Sequence, residues 1–154
     1  MSTDRVEIRR AQSSDASEMA RLAAELGYPM PPEEMRRRLE RLLSDARHYV
    51  VVAAIGSERL SGWTHVEHRS SLEGGERAEL MGLVVDTTAR RSGIGSQLVD
   101  AAENWALSKS LQELTVRSNT ARELSHSFYL ALGYRRIKAQ HVYSKPLSPR
   151  HRLA

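Results

Sequence analysis

Apolar positions along this chain recur with two periods, and the changes of period divide it into elements. Val6 to Arg10 alternates, as a half-buried strand does. Ser13-Ser14-Asp15 then offers small polar side chains that can cap free N–H groups. Met19, Leu22, Ala23 and Leu26 follow at i, i+3, i+4 and i+7, one face of a helix that Gly27 ends. Tyr28-Pro29-Met30-Pro31-Pro32 cannot be regular helix, because proline lacks a donor and fixes φ. Pro32 suits the first turn of a second helix, with Glu33 and Glu34 near its positive end and Met35, Leu39, Leu42 and Leu43 as its stripe.

The period then shortens. His48 to Ala54 reads as a strand, and its run Val50-Val51-Val52 predicts burial. Gly56-Ser57-Glu58 is a turn, and Leu60 to His68 the next strand, with Trp63, His65 and Glu67 on one face. Ser70 to Glu76 reads as a polar hairpin loop and Arg77 to Asp86 as a fourth strand. Ile94, Leu98, Ala101, Ala102 and Trp105 restore the helical period, and Leu111 to Ser118 is a fifth strand. A strand, a crossover helix and a strand make a parallel pair. Ala121, Leu124, Phe128 and Leu132 mark a last helix, stopped by Gly133. Tyr134 to Lys138 and His141 to Lys145 are expected as two short closing strands. The order β-α-α-β-β-β-α-β-α-β-β predicts a mixed α/β domain, an antiparallel meander followed by a parallel crossover, over residues 1–147, with a basic tail over 148–154.

Composition narrows the function. The chain has 154 residues, 40% hydrophobic and 27% charged, as expected of one folded domain. No apolar run is long enough to span a membrane and the N-terminus does not resemble a signal, so a cytoplasmic protein without a membrane partner is expected. Zero cysteines exclude disulfides, thiolate metal ligands and a cysteine nucleophile. The histidines show no metal-binding spacing, so no metal is expected. The net charge of +4 is spread among acidic residues, which argues against a nucleic-acid partner.

The chemistry concentrates where the fourth strand meets the third helix: Leu83-Val84-Val85, then Arg90-Arg91-Ser92-Gly93-Ile94-Gly95-Ser96. Glycines let backbone approach a ligand, and a helix N-terminus presents unpaired N–H groups to phosphate. By itself the stretch is either a phosphate cradle or a tight turn with exposed arginines. It lacks the Lys-Ser/Thr of a P-loop.

Arg90-x-x-Gly93-x-Gly95, together with Ser118-Asn119, Arg122, Phe128-Tyr129 and Gly133-Tyr134 downstream, resembles the GNAT superfamily of N-acetyltransferases, in its small-molecule branch. Thr87 stands where many members carry proline, which touches loop stiffness and not chemistry. The resemblance implies acetyl-CoA as co-substrate and a primary amine of a small molecule as acceptor, attacked directly in a ternary complex. An acyl-CoA-binding regulator on the same fold, or an enzyme acting on a protein amine, are the alternatives. The fourth and fifth strands should splay after a bulge, with Leu83, Val84 and Val85 beside the pantetheine arm. Arg90 to Ser96 should cradle the pyrophosphate. Asn119 should meet the pantetheine or a water, or else cap the following helix. Tyr129 is the expected general acid for the leaving thiolate, against a packed core-edge tyrosine as the plainer reading. Glu79 is the first candidate for the base, with His65 or Glu67 second. Tyr28 to Pro32, the start of the second helix and the loop between the third and fourth strands shape the acceptor side, where Glu33, Glu34 and Glu73 could attract a cation. Homodimers are common in the family, and no residue here decides the oligomeric state.

Overall fold

The computed structural model describes residues 5–89, 92–117 and 123–149. The chain forms two compact units, Met1–Arg117 and Ser118–Ala154.

The first unit is a five-stranded sheet in sequential order with helices on both faces. Its elements are β1 (Val6–Arg10), α1 (Ala16–Glu25), α2 (Pro32–Leu43), β2 (His48–Ile55), β3 (Arg59–Ser71), β4 (Gly75–Val85), α3 (Ile94–Ser108) and β5 (Leu114–Val116). Neighbours from β1 to β4 run antiparallel, and β4 and β5 run parallel, as the crossover required.

Alternation along β2 decides what each face buries. Val50, Val52 and Ala54 pack with Leu60 and Val84 against Met19, Leu22 and Ala23 of α1 and Met35 and Leu39 of α2. Val51 and Ala53 face the other way and meet Ile94 and Leu98 of α3. Tyr49 stacks on Trp105 with planes 1° apart and centroids at 5.5 Å, fixing the far end of α3. Gly62 lets α3 lie close: a Cβ there would sit 2.8 Å from the Val84 carbonyl oxygen and 3.0 Å from Leu98 Cδ1.

Two expectations change. The fifth strand, expected over Leu111 to Ser118, is limited to Leu114–Val116. Leu111 is spent on ending α3, since its N–H donates to the Ala106 carbonyl and its side chain is buried. The predicted end at Ser118 lies outside the described residues. The two closing strands are not formed: residues 134–149 contain no strand, and Ile137, Val142, Tyr143 and Leu147 are exposed. Alternation states which face a strand would bury, but it does not supply the neighbour whose N–H and C=O groups complete a ladder.

The second unit holds α4 (Glu123–Ala131), ended at Gly133 in the left-handed region (φ +93°), as the glycine stop required.

Candidate active site

The end of β4 is where the first unit opens. Among the described residues β4 pairs with β5 through Ala78, Glu79 and Leu80. Immediately beyond, the β3–β4 register jumps: His65 faces Gly82 while Val66 faces Leu80, leaving Met81 as an extra residue in a bulge. The bulge reverses which backbone groups face which neighbour. Ala78 donates its N–H toward β5, to the Glu113 carbonyl, whereas Asp86 donates to Ser61 of β3. In an antiparallel ladder the residues facing the partner alternate. Asp86, Val84 and Gly82 therefore turn their backbone toward β3. Leu83 and Val85 turn theirs to the other edge, beyond the last β4–β5 pair. Their side chains pack on the α3 face.

The chain then enters a short 3₁₀ turn, Thr87–Ala89, and reaches α3 through Ser92 and Gly93. Gly93 sits at φ +83° as N-cap and has no side chain to cap with. The Gln97 N–H is bonded to the Gly93 carbonyl. The N–H groups of Ile94, Gly95 and Ser96 precede it in the first turn, where a helix offers no internal acceptor. Arg90, Arg91 and Asn119 lie outside the described residues.

Asp86 anchors this entry. Its Oδ1 accepts the Thr88 N–H and hydroxyl, both at 2.9 Å. The Thr88 amide, with Arg21 assisting, holds its pKa below the ordinary carboxylate value. Arg21 of α1 approaches Asp86 at 3.5 Å and also bonds Glu18, Glu25 and the Leu60 carbonyl. One guanidinium thus connects α1, β3 and the start of the loop.

The α1–α2 face carries the other candidate groups. Trp63, His65 and Glu67 share it, as alternation required, and the ladder places Val84, Gly82 and Glu79 opposite them. The Trp63 indole N–H donates to the Met19 carbonyl, and its ring lies over Gly82. Glu79 is 2% exposed. Its carboxylate accepts from Arg69 at 2.7 Å and from Arg117 at 3.1 Å. Burial alone would raise its pKa, but the two guanidinium groups outweigh it and leave Glu79 more acidic than usual. Neither arginine partner was legible from the sequence, since Arg117 stands 38 positions away. Of the acidic residues expected to attract a cation, Glu34 is taken by Arg37 and Arg38, while Glu33 and Glu73 are exposed. Tyr28 is exposed, and Met30 packs against the α1–α2 core.

In the second unit Tyr129 is partly buried on α4, edge-on to Phe128 at 5.1 Å and to Tyr134 at 6.0 Å. Burial pushes its pKa up to about 12. The phenol keeps its proton at every ordinary pH. Phe128, expected in the core, is half-buried.

Among the described residues no group of three His, Cys, Asp or Glu is placed to hold a metal, and no helix is long and apolar enough to cross a membrane.

The described residues thus give a mixed sheet with a bulged fourth strand, a β4 edge past its pairing with β5, and a helix start without a side-chain cap. The acetyltransferase (GNAT) family profile matches residues 15–134, most of the chain, and the chain belongs to that family. It is an N-acetyltransferase, as its sequence led one to expect. An aminoglycoside N(6')-acetyltransferase type 1 of Klebsiella aerogenes is 27% identical over 146 residues, covering 91% of this chain and 96% of that protein. The crystal structure of aminoglycoside 6'-N-acetyltransferase AAC(6')-Ih from Acinetobacter baumannii superposes with a TM-score of 0.81 at 22% identity, covering 94% of this chain and all of that one. A structure described as a transcriptional regulator from Bacillus halodurans has a TM-score of 0.77 at 29% identity, covering 92% and 98%.

Proposed function

We propose that this protein transfers the acetyl group of acetyl-CoA to a primary amino group of an aminoglycoside-like polyamino sugar, by direct attack in a ternary complex. The observation that carries the donor is the open backbone edge of Leu83 and Val85, leading into the unpaired N–H groups of Ile94, Gly95 and Ser96. An amide-containing pantetheine arm can pair with the first, and a pyrophosphate with the second. Arg90, Arg91, Ser92 and Gly93 complete the cradle, and Asn119 offers a donor and an acceptor to the arm. The family match crosses both compact units, which supports reading residues 1–147 as one catalytic domain.

Laid this way, the arm runs from the α3 start back along β4, and the thioester ends beside the bulge at Met81 and Gly82. The amine approaches over the α1–α2 face. Glu79, already ionised and held by two arginines, is a buried carboxylate of that face, so it attracts and orients a cationic acceptor. The family resemblance gives Tyr129 the role of acid toward the leaving thiolate. Full transfer from a phenol near 12 to a thiolate near 8.5 is uphill by about 5 kcal/mol. Tyr129 therefore donates a hydrogen bond to the departing sulfur and yields its proton only as another replaces it. The relatives that cover this chain almost end to end are named for aminoglycosides, which supports the acceptor class.

Thiol release from acetyl-CoA, measured against a panel of neamine, linear polyamines, amino acids and peptides, tests the reading. Turnover with neamine and little with peptides is expected. Turnover confined to peptides would refute the acceptor class. The similarity to a described transcriptional regulator favours a second reading, a non-catalytic acyl-CoA sensor. Calorimetric binding of acetyl-CoA with no turnover on any amine would select it.

A further inference from the structure

The donor and acid roles leave one polar pair of the sheet unused. His48 begins β2 and His65 lies within β3 on the same face. Their rings are bonded to each other: His48 Nδ1 and His65 Nε2 are 2.9 Å apart. His65 is the inner ring. Its ladder partner is Gly82, the first residue past the bulge where the proposed function places the thioester. Burial, with His48 beside it, lowers its pKa to about 4. The ring is neutral at neutral pH and carries one N–H and one lone pair. His48 is the outer ring. Its Nε2 faces the half-exposed Asp45 carboxylate at 3.8 Å. It also lines an open cleft of about 400 Å³, with Arg10, Asp45, Tyr49, Trp105 and Lys109.

We infer that the His65–His48 pair is the route by which the acceptor amine's proton leaves the buried face, entering at His65 and departing from His48 to Asp45 and the water of the cleft. The inference rests on the acetyl-transfer reading, because the proton is the one an ammonium group must lose before its nitrogen attacks the thioester. One proton enters and one leaves. His65 Nδ1 accepts the amine's proton, directly or through one water. The His65 Nε2 proton passes to His48 Nδ1, and the His48 Nε2 proton passes to Asp45 or water. The N–H of the amine breaks, each ring ends in its other tautomer, and no ring needs to hold a net charge. Exchange with cleft water resets the pair after product leaves. A ring that is hard to protonate suits this role, since it passes a proton on and does not store it.

The charged surroundings favour the outward direction. Asp45 stands at the exit. Glu67 is the ladder partner of His48, and Glu79 that of Glu67. Arg69 and Arg117 are engaged by Glu79. Arg10, bonded to the Leu43 carbonyl, and Lys109, over the Trp105 ring, border the cleft. His65, on this reading, is a catalytic residue and His48 a positioning one.

The test is steady-state transfer from acetyl-CoA to neamine across the range from about pH 6 to about pH 9, where an amine begins to lose its proton unaided. His48→Gln is expected to lower kcat roughly 10–100-fold near pH 7 and to recover toward wild type near pH 9, with the KM for acetyl-CoA unchanged. Added imidazole, entering through the cleft, should restore His48→Ala. His65→Gln should match the His48→Gln profile, and the double variant should be no worse than either, since one wire is cut once. A His48→Gln rate within about twofold of wild type, a loss equal at both pH values, or additive losses in the double variant overturn the relay. Calorimetric binding of CoA verifies that each variant is folded, and the outer position of His48 keeps the test available if His65→Gln does not fold. Wild-type protein that acetylates no amine defeats the enzymatic reading and the relay with it. Wild-type turnover with indifferent His48 variants defeats the relay alone.

Discussion

Gly62 is the contact through which the packing of α3 and the donor site depend on each other. In Gly62→Ala the new methyl would meet the Val84 carbonyl oxygen at 2.8 Å, Leu98 Cδ1 at 3.0 Å and Ile94 Cγ2 at 3.4 Å. Ordinary contact lies near 3.5 Å, so the neighbours must retreat by about half an ångström. Leu98 is fully buried and Val84 is backbone held to β3, so neither can swing away. Overpacking of this kind costs about 1–3 kcal/mol, and the lower entropy of an unfolded alanine chain returns about 0.4–1 of it. Taking the middle of each range, the net loss of about 1.3 kcal/mol lowers the melting temperature by roughly 3–5 °C for a domain of this size. The same displacement moves Ile94, the first residue of α3, away from β4, so CoA affinity falls by roughly 3–10-fold as its donors lose alignment. Thermal unfolding and calorimetry with CoA give both readings. Gly82→Ala is the control for melting alone, since its methyl meets only the edge of the Trp63 ring, at 3.3 and 3.5 Å. Unchanged melting in Gly62→Ala refutes the packing argument. A lower melting temperature with unchanged CoA affinity refutes the link between the α3 seat and the donor.

Three further outcomes follow from the same geometry. Tyr129→Phe should lower kcat at least about 100-fold while leaving CoA affinity unchanged, measured by thiol release and calorimetry, and a rate equal to wild type removes Tyr129 from the leaving side. Gly93→Ala places a side chain at φ +83°, where nothing crowds the methyl and the penalty is backbone alone, so it should cost about 1–2 kcal/mol in chemical denaturation and weaken CoA. Asp15, Glu18, Glu79 and Asp86 all have pKa values depressed by their partners in the folded protein. Their contribution is therefore complete above the ordinary carboxylate range near 4, and is lost as pH falls through the lower folded values. Denaturant midpoints should drop steadily below about pH 4, and Glu79→Gln should flatten that dependence; an unaltered slope would show that its arginine pairs contribute nothing.

What the sequence displayed and what it hid divide along a physical line. Periodicity reports burial, so α1, α2, α3 and the central strands were legible: the Met19, Leu22, Ala23 stripe and the Pro32 start are both present in the structure. Gly93 and Gly27 were legible because only particular residues tolerate a positive φ. The arginine partners of Glu79 and the bond from His48 to His65 were not, because they join positions 10 to 38 residues apart through strand register, which has no local signature. The two closing strands were over-read for a related reason. His141 to Lys145 carries the strand formers Val142 and Tyr143, but propensity is a property of one strand and pairing a property of two.

The same line separates the two substrates. On the proposed reading the donor frame is made of backbone: the edge of Leu83 and Val85 and the amides at the start of α3. Backbone recognition needs few residue types beyond glycines where the chain must turn, so a short motif suffices to announce it. On the proposed reading the acceptor face is made of side chains from β3, β4 and the end of β5 held in a charge network, where Arg69 and Arg117 hold the Glu79 pKa down against its burial. Without those two cations burial alone would act on Glu79 and raise its pKa, disfavouring the negative charge that draws an ammonium group. On the proposed reading, preference for a polycationic acceptor is tuned by two arginines that need never touch it. Removing either one should weaken acceptor binding, although it removes a positive charge from the site.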